Sequence, residues 1–192
     1  EQNTLEYDDL RMALQAINRR SSGLLQFVEN YRKLQHVSQP QLENVMIGDM
    51  IADLQHLYPA PVFRYDIENP EQMLRVDRSQ IEQVLINLLK NAQEAVENDV
   101  QQSSDNAKEP CVRVSTHLSD NKRNFIISVT DNGKGILPEV LNRIFVPFFT
   151  TKTSGSGIGL SICKQIVTLH GGTITASSQP DEKTTFNVVL PA

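Results

Sequence analysis

Several features that would decide the class of a protein are scarce or missing here. The 192 residues include only two cysteines, Cys111 and Cys163, far apart and without metal-site spacing. That excludes a disulfide-stapled scaffold and makes a reducing, cytoplasmic setting the simplest reading. No apolar run approaches the roughly 20 residues that span a bilayer, and no signal peptide opens the chain. Cations are outnumbered, 18 Lys and Arg against 23 Asp and Glu, for a net charge of −5. A general nucleic-acid binder would usually show a basic excess, so no nucleic-acid partner is expected. There is no internal repeat. Hydrophobic residues make up 39% and charged residues 21%, enough for a core and a solvated surface: one domain, or one domain with an appendage. The opening EQNTLEYDD lacks a methionine and reads as a piece of something longer.

Periodicity sets out the elements. Tyr7 to His36 reads as a long helix, with Leu10, Leu14, Ile17, Leu24, Val28 and Tyr31 at alternating steps of four and three once Ser21, the one polar entry, is counted, an a/d-like seam for a partner helix. Pro40 follows it. A second helix is expected from Val45 to Leu57, then strands over 62–67 and 73–76. Asp77 or Ser79 can cap a helix from Gln80 to Asn98. Residues 99–110 are polar and turn-rich, a loop. Strands are expected over 112–118 and 124–130, a short helix near 138–144, a helix from Ser156 to Leu169 stopped by Gly171-Gly172, and two closing strands. This order predicts an α+β two-layer sandwich, one mostly antiparallel sheet with helices on one face, preceded by the long helix.

Three stretches carry chemistry. In NLLKNAQEA, residues 87–95, the core stripe is Ile81, Val84, Leu85, Leu88, Ala92 and Ala95. Asn91 falls at its margin, Asn87 one step further round, and Lys90 and Glu94 farther out on that side. Asparagine is a poor helix former and a buried amide needs partners, so either the pair is satisfied locally or something polar docks there. In DNGKG, residues 131–135, Asn-Gly after alternating apolar residues is the usual hairpin signal. The following ILPEVLNRIF has helical spacing and a proline instead of a returning strand, so the turn leads away from the sheet. Asp131 offers a carboxylate there, able to accept a hydrogen bond from an amine. In TTKTSGSGIGL, residues 150–160, Gly155, Gly157 and Gly159 run into a helix, where free N–H groups and the helix dipole suit phosphate. Lys152 is a phosphate counter-charge or a solvated lysine. No Walker A sequence occurs, and GxGxG after a threonine run is no dinucleotide fingerprint.

In this order NLLKNA, DNGKGI, IFVPFFTTK and GSGIGL resemble the N, G1, F and G2 boxes of sensor histidine kinases, in the gyrase–Hsp90–histidine kinase–MutL superfamily. The resemblance covers residues 62–192. The first helix resembles the second helix of the dimerisation and phosphotransfer hairpin, and FVENYRKL is like the nitrogen-regulation branch. The resemblance implies two domains, 1–40 and 41–192, and ATP and Mg²⁺ as ligands. Asn91 would hold Mg²⁺, which suits one neutral oxygen and keeps most of its waters. Asn87 would stand where ATP-hydrolysing cousins have a glutamate base, and an amide cannot take a proton. Asp131 would read adenine in a pocket shaped by Gly133, Gly135 and Ile136, with Thr185 assisting. Phe145, Phe148 and Phe149 would anchor a lid; Lys90, Lys152, Gly155, Gly157, Gly159 and Leu160 would serve the phosphates. The family's phosphoacceptor signature is absent around His36, His56, His117 and His170, so the acceptor is expected outside the chain and this portion should not label itself. A response regulator and a homodimer in the full-length protein are the implied partners, with no direct membrane contact and a cytoplasmic location, free or as part of a membrane-anchored sensor. An ATPase of the superfamily, a serine kinase of the anti-sigma type and a nucleotide-binding module without transfer activity are the alternatives.

Overall fold

The computed structural model describes residues 2–35, 37–102, 109–152 and 155–192, with the backbone alone for 2–10 and 98–102. His36, the middle of the 99–110 stretch and Thr153-Ser154 lie outside the described residues. The chain divides into two compact units, 1–37 and 38–192. The first is a single helix, α1 (Gln2–Gln35). The described members of its seam, Leu14, Ile17, Leu24, Val28 and Tyr31, are between 45% and 65% exposed.

The second unit is the α+β sandwich. Its five-stranded sheet runs β2 (Phe63–Ile67), β4 (Val112–Leu118), β5 (Asn124–Asp131), β7 (Lys183–Pro191), β6 (Thr173–Gln179). Only β2 and β4 pair in parallel; the other pairs are antiparallel. Alternation gives the sheet two chemistries. Phe125, Ile127 and Val129 of β5 and Phe186, Val188 and Leu190 of β7 are buried on one face. Ser128 bonds Asn187 and Thr130 bonds Thr185 across the other. Against the apolar face lie α2 (Ile47–Leu57), α3 (Arg78–Gln102) and α5 (Gly159–Leu169); α4 (Pro138–Leu141) is a single turn.

A second, two-stranded sheet was not foreseen. Glu43–Met46 forms β1, antiparallel to β3 (Met73–Val76), where Val45 was read as the start of α2. Four residues of ENVM carry too little local pattern to be told from a helix start; their partner is distant in sequence. Asp77 caps α3, accepting the Gln80 amide at 3.1 Å. α3 continues past Asn98 to Gln102, and α5 begins at Gly159 instead of Ser156. Gly157 has φ of +68°, a left-handed conformation that cannot belong to the helix.

Two contacts fix α3 relative to its neighbours. Arg78 pairs with Asp53 of α2 and with Glu82. The buried His170, just past α5, donates from Nδ1 to the Ile166 carbonyl (2.8 Å), and its Nε2 accepts the Asp77 amide at 3.0 Å. One imidazole thus ties the end of α5 to the start of α3.

Candidate nucleotide site

The three chemistry-bearing stretches meet along one face of α3. Asn87, Asn91 and Ala95 are spaced i, i+4, i+8 and line up on that face. Each receives a different residue from the other two stretches. A Cβ on Gly159, the first residue of α5, would sit 2.6 Å from the Asn87 amide oxygen. The Lys152 ammonium donates to Asn91 Oδ1 at 2.8 Å. A Cβ on Gly133 would lie 2.7 Å from the Ala95 carbonyl. From Asn87 to Ala95 the helix rises about 12 Å.

At the Asn87 end the amide is locally satisfied. Its Nδ2 donates to Cys163 Sγ at 3.1 Å, and that thiol, pushed up to about 11 by burial, is turned to the Val84 carbonyl. Asn87 is therefore a polar pin between α3 and α5, half-buried beneath the start of α5. The first residues of α5 carry no side-chain cap, because Ile158 precedes them; Leu160 is half-buried in that first turn. Gly157 packs against the Phe148 carbonyl, where a Cβ would approach to 2.6 Å, and Gly155 against the Thr150 hydroxyl. In the middle, Lys152 also reaches Glu94 Oε2 at 2.5 Å. Lys90 is exposed on the same helix.

At the Ala95 end, Asp131 closes β5 on the buried face, 3% exposed. Burial raises its pKa to about 6, opposed by the Gly133 amide that donates to its Oδ1 at 3.1 Å. The turn after it is anchored on both sides. Asn132 accepts the Cys111 amide and donates to the Glu109 carbonyl. Gly135, at φ +70°, runs so close to the β6–β7 hairpin that a Cβ would meet the Gln179 carbonyl at 2.4 Å. The Ile136 amide donates to Ser178 Oγ at 2.8 Å, and that hydroxyl also contacts Thr184 Oγ1 at 3.0 Å.

This register corrects one expectation. Thr185 pairs with Thr130 and faces away from Asp131. The residue opposite Asp131, on the same buried face, is Thr184, 3% exposed. The adjacent threonines made the sequence ambiguous by one residue, and a one-residue step in a strand reverses the face. Ser178 and Thr184 were missed; their only sequence signal was the alternation TTFNVVL, which puts Thr184 in phase with Phe186 and Val188. Phe145 meets Phe186 edge-on at 6.4 Å, Arg143 lies over Phe149 at 4.5 Å, and Phe148 has φ of +63°. Phe145 is thus joined to the sheet core by ring packing.

Residues 76–192 match the family described as histidine kinase-, DNA gyrase B- and HSP90-like ATPase. The chain belongs to that family. It is 40% identical over 120 residues to the sensory histidine kinase/phosphatase NtrB of Rhizobium meliloti, covering 60% of this chain and 31% of the relative. It is 32% identical over 181 residues to the sensor histidine kinase ZraS of Salmonella typhimurium, covering 91% of this chain and 35% of the relative. The match therefore spans between 19% and 35% of the length of these and similar curated relatives. Among solved structures, the catalytic domain of histidine kinase ThkA superposes with a TM-score of 0.65 at 28% identity, covering 79% of this chain and 95% of that one. ThkA in complex with the response regulator protein TrrA gives 0.68 at 25%, covering 91% and 49%. What the family member described here shares with these proteins is the ATP-binding domain, similar to the catalytic domain of histidine kinases. No helix among the described residues is long and apolar enough to cross a membrane.

Proposed function

We propose that this chain binds ATP with Mg²⁺ along α3 and presents the γ-phosphoryl group to a histidine outside it, from which a response regulator takes it. The observation that carries this reading is the convergence of Gly159, Lys152 and Gly133 on Asn87, Asn91 and Ala95. One end of that line offers a buried carboxylate and two hydroxyls, suited to a base. The other offers uncapped helix N–H groups, suited to phosphates.

Each residue has a stated role. Asp131 accepts from the adenine amine, with Thr184 and Ser178 at its side and Gly133, Gly135 and Ile136 forming the wall. Gly155, Gly157, Gly159 and Leu160 bring backbone amides to the phosphates, with Lys90 and Lys152 as counter-charges. Asn91 fits a Mg²⁺ ion, since its amide oxygen already accepts a cation, the Lys152 ammonium. When bound, Mg²⁺ would neutralise phosphate charge. Asn87 cannot remove a proton from water, so positioning dominates over hydrolysis. Phe145, Phe148 and Phe149 pack the lid segment.

None of the described histidines, His56, His117 and His170, carries the family's acceptor signature, and His170 is buried with both ring nitrogens engaged. α1 is read as a helix of the dimerisation and phosphotransfer hairpin, residues 1–40, and the homodimer would form through its seam in the full-length protein. ThkA, solved with its response regulator, is the precedent for that partner.

The test is incubation with Mg²⁺ and γ-labelled ATP, alone and with the full-length parent. The expected result is bound nucleotide, little free phosphate, no label on this chain and acid-labile label on the parent. Steady phosphate release by this chain would overturn the role given to Asn87.

A further inference from the structure

Two oxygens one helical turn apart, Asn91 Oδ1 and Glu94 Oε2, converge on a single cation, the Lys152 ammonium, at 2.8 and 2.5 Å. Lys152 comes from the loop after the phenylalanine cluster, where its own amide is held by Thr150 Oγ1 at 3.1 Å. Its side chain and that of Glu94 are 42% and 36% exposed, so either charge could have stayed in water. Glu94 matters because a neutral amide oxygen alone is a weak partner for an ammonium ion, whereas a carboxylate makes a charge-assisted bond.

We infer that Lys152 is an internal competitor for the Asn91 oxygen, parked there by Glu94, and that this pair sets how much Mg²⁺ the nucleotide needs to bind. The inference rests on the ATP–Mg²⁺ reading of the site. Asn91 Oδ1 cannot hold the ammonium and a divalent ion at short range together. A triphosphate gives Lys152 a stronger acceptor and draws it off Asn91. That transfer leaves the Glu94 carboxylate uncovered beside the phosphates, and like charges there disfavour a nucleotide arriving without its metal. Glu94 is thus a positioning residue that acts through Lys152 and discriminates metal-bound from metal-free nucleotide.

The experiment is calorimetric ATP binding over a Mg²⁺ series, with an EDTA arm, for the parent chain and for Glu94→Gln, Glu94→Asp and Lys152→Met. Glu94→Gln should lower the half-saturating Mg²⁺ by about three- to tenfold, the size expected when an exposed ion pair and a hydrogen bond are lost. It should also strengthen binding in EDTA. Lys152→Met should weaken affinity at saturating Mg²⁺, because a phosphate counter-charge is gone. Glu94→Asp, which keeps the charge, should return toward the parent. A raised midpoint in Glu94→Gln would make Glu94 a metal ligand and overturn the inference. An unchanged midpoint in Glu94→Gln would reduce the pair to a surface contact and overturn it too. If the parent bound no ATP at any Mg²⁺, the functional reading itself would fall, a result distinct from either.

Discussion

Asp131 is held in a conflict between folding and binding. Its carboxyl is buried and its pKa lies near 6, above the ordinary 3.8. The folded state therefore holds the proton more tightly than the unfolded one, so this group's contribution to stability falls as pH climbs from about 4 through 6 and levels off above. A shift of roughly two units corresponds to about 3 kcal/mol at most. Asp131→Asn keeps an oxygen for the Gly133 amide but carries no charge to desolvate. It should be more stable than the parent by roughly 1–3 kcal/mol at pH 7–8, with the difference closing near pH 4. Urea unfolding across that range measures it. The same substitution should abolish or severely weaken nucleotide binding. Its neighbours are limited by space: Gly133→Ala and Gly135→Ala each drive a methyl onto a carbonyl, and Gly135 adds a left-handed φ. Each should cost about 1–3 kcal/mol in unfolding free energy and shift the turn that presents Asp131.

The elements differ in how openly the sequence announces them. The α3 stripe, β4, β5 and β7 follow from hydrophobic periodicity because each buries a regular face. The margin position of Asn91 followed from the same 100° step. β1 was not legible, since its four residues are specified by pairing with β3. Thr184 was hidden behind Thr185 by a single register step, and Ser178 by lying in a polar strand edge. The local satisfaction of Asn87 by Cys163 was equally invisible, as it depends on α5 crossing α3. The His170 tie between those helices yields a test of its own. His170→Ala removes the acceptor of the half-buried Asp77 amide and should destabilise the second unit by about 1–3 kcal/mol. Chemical denaturation would read it, and hydrogen exchange should localise the loss to the start of α3.

At the scale of the whole molecule, the two units make different demands on solvent. Residues 38–192 bury their own core, whereas α1 leaves five described seam residues largely in water. Leu24→Glu combined with Val28→Glu should leave the unfolding midpoint of the second unit within about 0.5 kcal/mol of the parent, as for substitutions at exposed positions. The same pair should weaken any self-association of the chain, measured by sedimentation equilibrium. The alignment of Asn87, Asn91 and Ala95 has a further consequence, for insertions and deletions. Two segments from remote parts of the chain take their positions from one uninterrupted helix, so its residue count acts as a reading frame. One residue inserted between Asn87 and Asn91 would turn everything beyond it by about 100° and carry Asn91 and Ala95 off the shared face. Seven inserted residues would restore the face to within about 20° yet lengthen the line by about 10 Å. The side chains along this line are open to exchange, but the number of residues between them is not.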